Sequence, residues 1–467
     1  LQTVARIALS ATLILGTPSC FHRSLDSSVG KDISISNPGF SHSIAKTAQT
    51  PWTEGNKIET LVNGDAFYPK MLQAIQDAKH SITFETFAYV PGQIATDFTN
   101  ALVLKAQEGV QIHVIFDAIG SADLPASHLK PMRYHGIEVH FYQPYLTLNT
   151  KAMNNRTHRK ILITDGRVAF TGGAGFANSW LGNARDEFEW RDTQYRIEGP
   201  AVAQLQQCFN ENWKKLNGKA LSGPLYFPTH SSKGPFRAHF VTDSPENHRH
   251  PIAHSMLAII NAAEKSLVME QSYFVPNRIF RKALVRAAKR GVHIHIIVPS
   301  EKIDSKPTRH ASQNHWAEIL RAGIRLYQFD PTMMHAKLLV ADDRFTITGS
   351  ANLDDRSFFI NDEVNPQTLP RNHSRKPPFP PRSLAPAPRR LAYLTSPLIL
   401  FYENYPRPLR LHGQYLPLSR LRKYLPPSRQ RSRPLQGNYL RLRRNARLPH
   451  RQQTGRPHVT HHPETQL

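Results

Sequence analysis

The apolar positions of this chain run through the same order twice. From Met71, the side chains of Leu72, Ile75 and Ala78 recur at helical spacing; the β-rich run SITFETFAYV follows and Pro91 stops it. From Met256, Leu257, Ile260 and Ala263 repeat the helical spacing, SLVMEQSYFV follows, and Pro276 stops it at the same distance from the methionine. A second helical stretch then ends on glycine in each copy, ALVLKAQEG at Gly109 and ALVRAAKRG at Gly291, where glycine serves as the cap. The strands VQIHVIFD and VHIHIIVP come next, and later GIEVHFY from Gly136 and GIRLYQF from Gly323. Strands alternating with helices predict an α/β protein of two duplicated α/β/α lobes with mixed, mostly parallel sheets. The stretch from Asn217 to His250, dense in Gly, Pro, Ser and His, is the expected boundary. The first lobe is expected over residues 51–220, a linker over 221–250 and the second lobe over 251–365.

Each copy carries one further pattern at the same relative place. His158, Lys160 and Asp165 (HRKILITD) match His335, Lys337 and Asp342 (HAKLLVAD), so both read HxKxxxxD. Shortly beyond each aspartate comes a small-residue turn, Gly172-Gly173-Ala174-Gly175 in one copy and Gly349-Ser350-Ala351-Asn352 in the other. As a strand, HxK puts His and Lys on one face. Asp165-Gly166 and Asp342-Asp343 are turn dipeptides, so each motif is expected to be a hairpin whose return strand brings the small residues back beside the histidine. The two lysines, the backbone N–H groups of the turns, the Ser350 hydroxyl and the Asn352 amide are donors suited to phosphoryl oxygens. Two imidazoles could flank one phosphorus, one attacking while the other protonates the leaving alkoxide. Asp192 (WRDT) and Glu363 (NDEVN), each following its motif, are the candidates to orient them.

These paired motifs resemble the HKD motifs of the phospholipase D superfamily. The flanking runs RTHRKILITDGRVAFTGG, WRDTQYRIEGPAV and GSANLDDRSFFINDEVN are similar to the bacterial cardiolipin synthase branch, over roughly residues 57–365. The resemblance implies two phospholipase D-like lobes with the active site at their interface, no metal and no cofactor. It implies a double displacement through a phosphohistidine that moves a phosphatidyl group between phosphatidylglycerol molecules, giving cardiolipin and glycerol. By analogy with two-motif relatives, His158 would be the nucleophile and His335 the general acid and base. Lys160, Lys337, Ser350 and Asn352 would bind phosphate, and Asp165 and Asp342 would hold the motif. Gly173 and Gly175 stand where the motif commonly has Ser and Asn, so backbone N–H groups are expected to substitute for side-chain donors in the first half-site. A phospholipase D hydrolase, with water in the second step, is the alternative within the enzyme class. An inactive, basic membrane-binding remnant is the alternative outside it.

Charge adds a puzzle rather than a partner. The chain has 59 Lys and Arg against 35 Asp and Glu, a net charge of +24, which on its own points to a polyanion. Residues 366–467 carry 20 of those cations with only Glu403 and Glu464 as acids, together with 18 of the 36 prolines, so the excess sits in an irregular tail. The tail reads as disordered or frameshifted sequence that would leave the second lobe incomplete, or as a basic arm for anionic lipid or nucleic acid. No specific nucleic-acid partner is expected. Val4 to Leu15, within an N-terminal segment of residues 1–50, is apolar but short and interrupted by Arg6, in keeping with a signal core or shallow anchor. Together with anionic phospholipids as partners, this predicts a protein at the bacterial cell membrane, peripheral or N-terminally anchored. Cys20 and Cys208 form no metal or redox pattern. Glu85 and Glu270, at matching strand positions, either line the pocket or serve the sheet. His113, His293 and His295 read as packing or surface residues, and AVAQLQQCFNENWKKL as a core helix.

Overall fold

The computed structural model describes residues 25–143 and 154–370, with the backbone of 409–411 and 414–416. The expected N-terminal apolar stretch, Cys20 and nearly all of the basic tail lie outside the described residues. A first helix, α1 (Phe40–Ala48), precedes the first lobe, which runs β1 (Thr53–Val62), α2 (Gly64–Asp77), β2 (Ser81–Thr86), α3 (Gln93–Gln107), β3 (Gln111–Asp117), α4 (Ala126–Tyr134), β4 (Glu138–Tyr142), β5 (Ile161–Thr164), β6 (Val168–Gly172), β7 (Thr193–Glu198) and α5 (Ala201–Asn217). The second lobe runs β8 (Phe236–Asp243), α6 (Pro251–Ala262), β9 (Ser266–Gln271), α7 (Arg278–Lys289), β10 (His293–Pro299), α8 (Lys306–Arg321), β11 (Arg325–Phe329), β12 (Lys337–Ala341), β13 (Phe345–Thr348), α9 (Asp355–Phe359) and β14 (Glu363–Pro370). Two short strands, β15 (Leu409–Leu411) and β16 (Gln414–Leu416), extend the edge beyond β11.

The duplication read in the sequence is a duplication of topology. One sheet runs β4-β3-β2-β5-β6-β7-β1 through the first lobe, and the second repeats it as β11-β10-β9-β12-β13-β14-β8. The two join where β1 pairs antiparallel with β8. The expectation of mostly parallel sheets is corrected. Among the described strands only β2–β3, β3–β4, β9–β10 and β10–β11 pair in parallel. The reason is the motif itself: helical crossovers can set strands parallel, but each HxK hairpin and its return strand are joined by a tight turn and must run antiparallel. The expected linker 221–250 also contains a strand, β8, which pairs over its whole length with β14. That ladder continues past Asn365 to Pro370.

Burial follows from the patterning. The residues of β2 are buried on both faces, as its unbroken run between helices requires. Phe40, Ile44 and Ala48 recur at the spacing of one helical face, and they pack with α6 into the core of the second lobe, so the segment before the first lobe is part of the second. Val202, Leu205, Phe209 and Trp213 of α5 are buried as the helical stripe predicts, and Cys208 is buried with them. Helix α5 braces the site from behind. The Asn212 amide donates to Glu85 (2.8 Å), and the Arg159 guanidinium donates to the Cys208 carbonyl (2.5 Å) and to Glu211 (2.7 Å). Among the described residues the second lobe has no counterpart of α5. The first-lobe core also takes in Ile303 and Met333 from the second lobe, which keys the two lobes together near the motifs.

Candidate active site

Each histidine lies just ahead of a strand, β5 or β12, in a segment that leaves its own lobe and pairs with the other. His158 donates its backbone N–H to the Asp362 carbonyl (2.9 Å), and His335 donates its own to the Arg191 carbonyl (2.7 Å). Parallel bridges between Thr157 and Asp362 and between Arg191 and Met334 complete the seam. The residues that follow those partners, Glu363 and Asp192, are therefore delivered to the histidine of the opposite lobe. His158 Nδ1 lies 3.0 Å from both Glu363 carboxylate oxygens, and His335 Nδ1 lies 2.8 Å from Asp192 Oδ2. The sequence singled out both carboxylates; the crossing of the pairs is what the structure adds.

With Nδ1 turned to a carboxylate, Nε2 of His158 has no hydrogen-bond partner among the described residues, and Nε2 of His335 meets the Lys337 ammonium (3.1 Å). Burial pushes His158 down to about 4, and the Lys160 and Lys337 charges add to this against the pull of Glu363. Burial likewise takes His335 down to about 4, with Lys337 adding to it and Asp192 opposing. Burial alone would raise Glu363, but the facing His158, Lys160 and the Ser350 hydroxyl outweigh it and hold the carboxyl at about 2. Asp192 is lowered in the same way: burial works against ionisation, and His335, Lys337 and the Thr193 N–H prevail. Both carboxylates are thus ionised at neutral pH, each beside a neutral imidazole able to act as a nucleophile. Lys337 acts on His158 and Glu363 on Lys337, so the charges of the two half-sites feel each other across the seam.

The lysines complete a basic floor. Lys160 Nζ donates to the His158 carbonyl (2.6 Å) and Lys337 Nζ to the His335 carbonyl (2.6 Å), and the latter ammonium lies 3.1 Å from both ring nitrogens of His335. Burial lowers Lys160 to about 7 and Lys337 to about 8, with neighbouring carboxylates opposing the shift in each case. Among the described residues neither ammonium has a carboxylate ion pair of its own, which suits an incoming anion. Among the described residues no cluster of three or more His, Cys, Asp or Glu could hold a metal ion.

The remaining expected residues divide. Asn352 accepts from the Ser272 hydroxyl at Oδ1 (2.7 Å), and its NH2 end carries no partner among the described residues, leaving it as a donor. Ser350 lies behind the carboxylate instead: its hydroxyl donates to Glu363 Oε2 and accepts from the Val364 N–H (3.0 Å). Its one proton is directed at Glu363, away from any phosphate. Asp165 and Asp342 lie just past the far ends of β5 and β12, seven residues on from the histidines, or about 23 Å along an extended chain. Each takes a left-handed backbone conformation and accepts the N–H groups of three successive residues, Lys79, His80 and Ser81 for Asp165 and Glu264, Lys265 and Ser266 for Asp342. They pin each hairpin to the start of the neighbouring strand. Glu85 is fully buried, accepts from Thr157 and Asn212, and is raised to about 7 chiefly by burial; Glu270 lies 3.4 Å from Arg191. Both support the segments beneath the histidines.

Sequence reasoning missed Trp180. Its indole N–H donates to Asp192 Oδ2 (2.9 Å), doing for the first half-site what Ser350 does for the second. This explains the two glycines. A Cβ at position 173 would stand 2.3 Å from Asp192 Oδ1, and one at 175 would stand 3.2 Å from the Trp180 ring. Asp192 is held by that indole N–H together with the Thr193 N–H (2.8 Å). Nothing in the spacing of Trp180 marks it. Asp117 was also missed; it accepts the Thr157 N–H (3.0 Å) and fixes the chain one residue before His158.

Residues 71–213 and 256–369 match the family model described as cardiolipin synthase, PLD-like domain. Cardiolipin synthase 1 of Bacillus anthracis is 32% identical over 69% of this chain and 65% of its own, and cardiolipin synthase 2 of the same organism is 33% identical over 66% of this chain and 60% of its own. The chain thus spans somewhat less than two thirds of the length of these relatives. A crystal structure of phosphatidylserine synthase from Haemophilus influenzae, 14% identical, shares the fold with a TM-score of 0.55 over 71% of this chain and 87% of that one. Among the described residues no helix is long and apolar enough to cross a membrane. The matched halves each contain one histidine–lysine motif and the carboxylate that crosses to the other, and the chain belongs to the cardiolipin synthase family of phospholipase D-like domains.

Proposed function

We propose that the protein transfers a phosphatidyl group from one phosphatidylglycerol to a second, releasing glycerol and forming cardiolipin. The observation that carries the reading is the crossed pairing of two largely buried imidazoles, each with a buried carboxylate from the other half, beside two buried lysines. In the first step His158 Nε2 attacks phosphorus, the bond from phosphorus to the glycerol oxygen breaks, and His335, protonated once the anionic lipid has entered, gives its proton to the departing alkoxide. Glu363 stabilises the charge that grows on His158 as its bond to phosphorus forms. In the second step a hydroxyl of another phosphatidylglycerol attacks, His335 takes its proton, and the bond between phosphorus and His158 breaks. Lys160, Lys337 and the Asn352 amide hold the phosphoryl oxygens through both steps, and Asp165 and Asp342 act at a distance by fixing the hairpins.

The partners on this reading are anionic phospholipids and the membrane surface that presents them, and the location is the bacterial cell membrane. Incubating the purified protein with phosphatidylglycerol vesicles tests it. Cardiolipin with an equal amount of glycerol is the expected product. Phosphatidic acid in place of cardiolipin would make the protein a hydrolase, and vesicle binding without turnover would make it an inactive remnant.

A further inference from the structure

The two half-sites are not equivalent on their outer sides. Tyr273 stands edge-on to the His335 ring, with centroids 6.3 Å apart and planes at 89°, and its hydroxyl donates to Asp304 Oδ2 (2.7 Å). The other carboxylate oxygen, Asp304 Oδ1, is buried without a hydrogen-bond partner. A buried carboxylate oxygen with no donor is costly unless something else supplies one. The carboxylate acts electrostatically on both His335 and Lys337, which puts it within range of the reacting groups. Its loop is held at both ends, by Ile303 inserted into the first-lobe core and by α8, which starts two residues on. Counting from the matched segments, the first lobe has Ala88 in place of Tyr273, and the ring beside His158 is Phe87, which has no hydroxyl. Among the described residues the pair therefore stands on the His335 side alone.

That side is the one the chemistry singles out. In a double displacement the alcohol that leaves and the alcohol that enters both occupy the position opposite the nucleophile, next to the acid and base. We infer that Asp304, braced by Tyr273, accepts hydrogen bonds from the hydroxyls of the glycerol head group and so selects a polyol as both the leaving and the incoming alcohol. The inference rests on the reaction proposed above and names the group that recognises its alcohol. A carboxylate with one oxygen fixed by a phenol and the other unpartnered offers acceptors only, which matches hydroxyl donors. Lys160 and Lys337 counter its charge toward the lipid phosphate.

The test compares Asp304→Asn and Tyr273→Phe with wild type on two phosphatidyl esters, phosphatidylglycerol and phosphatidyl-p-nitrophenol, whose leaving group has no hydroxyl to recognise and needs no acid. The expected result is a loss of glycerol release about ten- to a hundredfold greater than the loss in rate of the first-turnover burst of p-nitrophenol, the range for a hydrogen bond to a charged group. Equal losses on both esters, or no loss on either, would overturn the inference. So would a variant that loses activity toward phosphatidylethanolamine but not phosphatidylglycerol, because the carboxylate would then be reading an ammonium. Wild-type products judge the underlying reading separately. If wild type releases glycerol without forming cardiolipin, the transfer fails, while the ratio between the two esters still decides the role of Asp304.

Discussion

Replacing Glu363 with Gln removes a negative charge from a side chain that is fully buried and faces His158 through both oxygens at 3.0 Å. Glutamine keeps one acceptor for Nδ1 but cannot stabilise the positive charge that develops as Nε2 bonds to phosphorus. It also sets an NH2 group against either the Ser350 hydroxyl or the Asn361 amide, both of which now donate to the carboxylate. In a comparable arrangement of histidine and carboxylate the loss is about 10⁴-fold in turnover, or about 5 kcal/mol in the barrier. Asp192→Asn should cost a similar factor with phosphatidylglycerol, but at the other ring. With phosphatidyl-p-nitrophenol the two variants should part. That leaving group needs no acid, so Asp192→Asn should still release a stoichiometric burst of p-nitrophenol and then stall, because His335 can no longer take the proton of the incoming alcohol. Glu363→Gln should give no burst, because the nucleophile itself is impaired. The assay is rapid-mixing absorbance with quantified active sites, and circular dichroism melting shows that each variant is folded. The reverse pattern, a burst in Glu363→Gln and none in Asp192→Asn, would refute the crossed assignment of roles.

Further consequences follow from the same geometry. Gly173→Ser should lower turnover by at least tenfold, since its Cβ would fall 2.3 Å from Asp192 Oδ1 and displace the partner of His335; steady-state rates that match wild type would remove the argument for that glycine. With phosphatidyl-p-nitrophenol, whose departure asks no proton of His335, the profile of kcat/KM against pH should rise as His158 loses its proton near 4 and fall as Lys160 loses its own near 7, because the imidazole is needed neutral and the ammonium charged. Lys160→Arg, which keeps its charge at any accessible pH, should move the falling limb upward, and an unmoved limb would assign it to another group. Asp165→Ala should reduce stability by about 1–3 kcal/mol in chemical denaturation, through loss of a carboxylate that accepts three backbone N–H groups, while the folded fraction keeps most of its turnover. A large loss of kcat in fully folded Asp165→Ala would bring that residue into the chemistry.

Much of this architecture was legible because duplication turns weak local signals into a comparison. A lone HxK strand says little, but two at matched positions identified His158, Lys160, His335 and Lys337, and the flanking runs pointed to Asp192 and Glu363. What stayed hidden depended on how strands meet in space. The crossing of the carboxylates follows from the seam between Thr157 and Asp362 and between Arg191 and Met334, a pairing that no spacing along the chain encodes. The sheets are mixed as expected, but hairpin turns, unlike helical crossovers, reverse direction, and counting helices overstated the parallel share. Trp180 escaped because a tryptophan in a loop ordinarily reads as core, and this one is indeed buried; its function resides in a single N–H. Ser350 was assigned to phosphate on its residue type, yet the Glu363 carboxylate beside it takes its proton. β8 was read as linker because its run lies among Gly, Pro, Ser and His residues, and only its ladder with β14 makes it a strand.

The central claim is that His158 forms the covalent bond to phosphorus and that His335 handles the protons. Quenching the enzyme in acid-free denaturant during turnover of phosphatidylglycerol, then digesting it and measuring peptide masses, tests this directly. The account predicts a phosphatidyl adduct on the peptide containing His158, absent from His158→Ala, which should also show no turnover. An adduct on His335, or full turnover in His158→Ala, would contradict it.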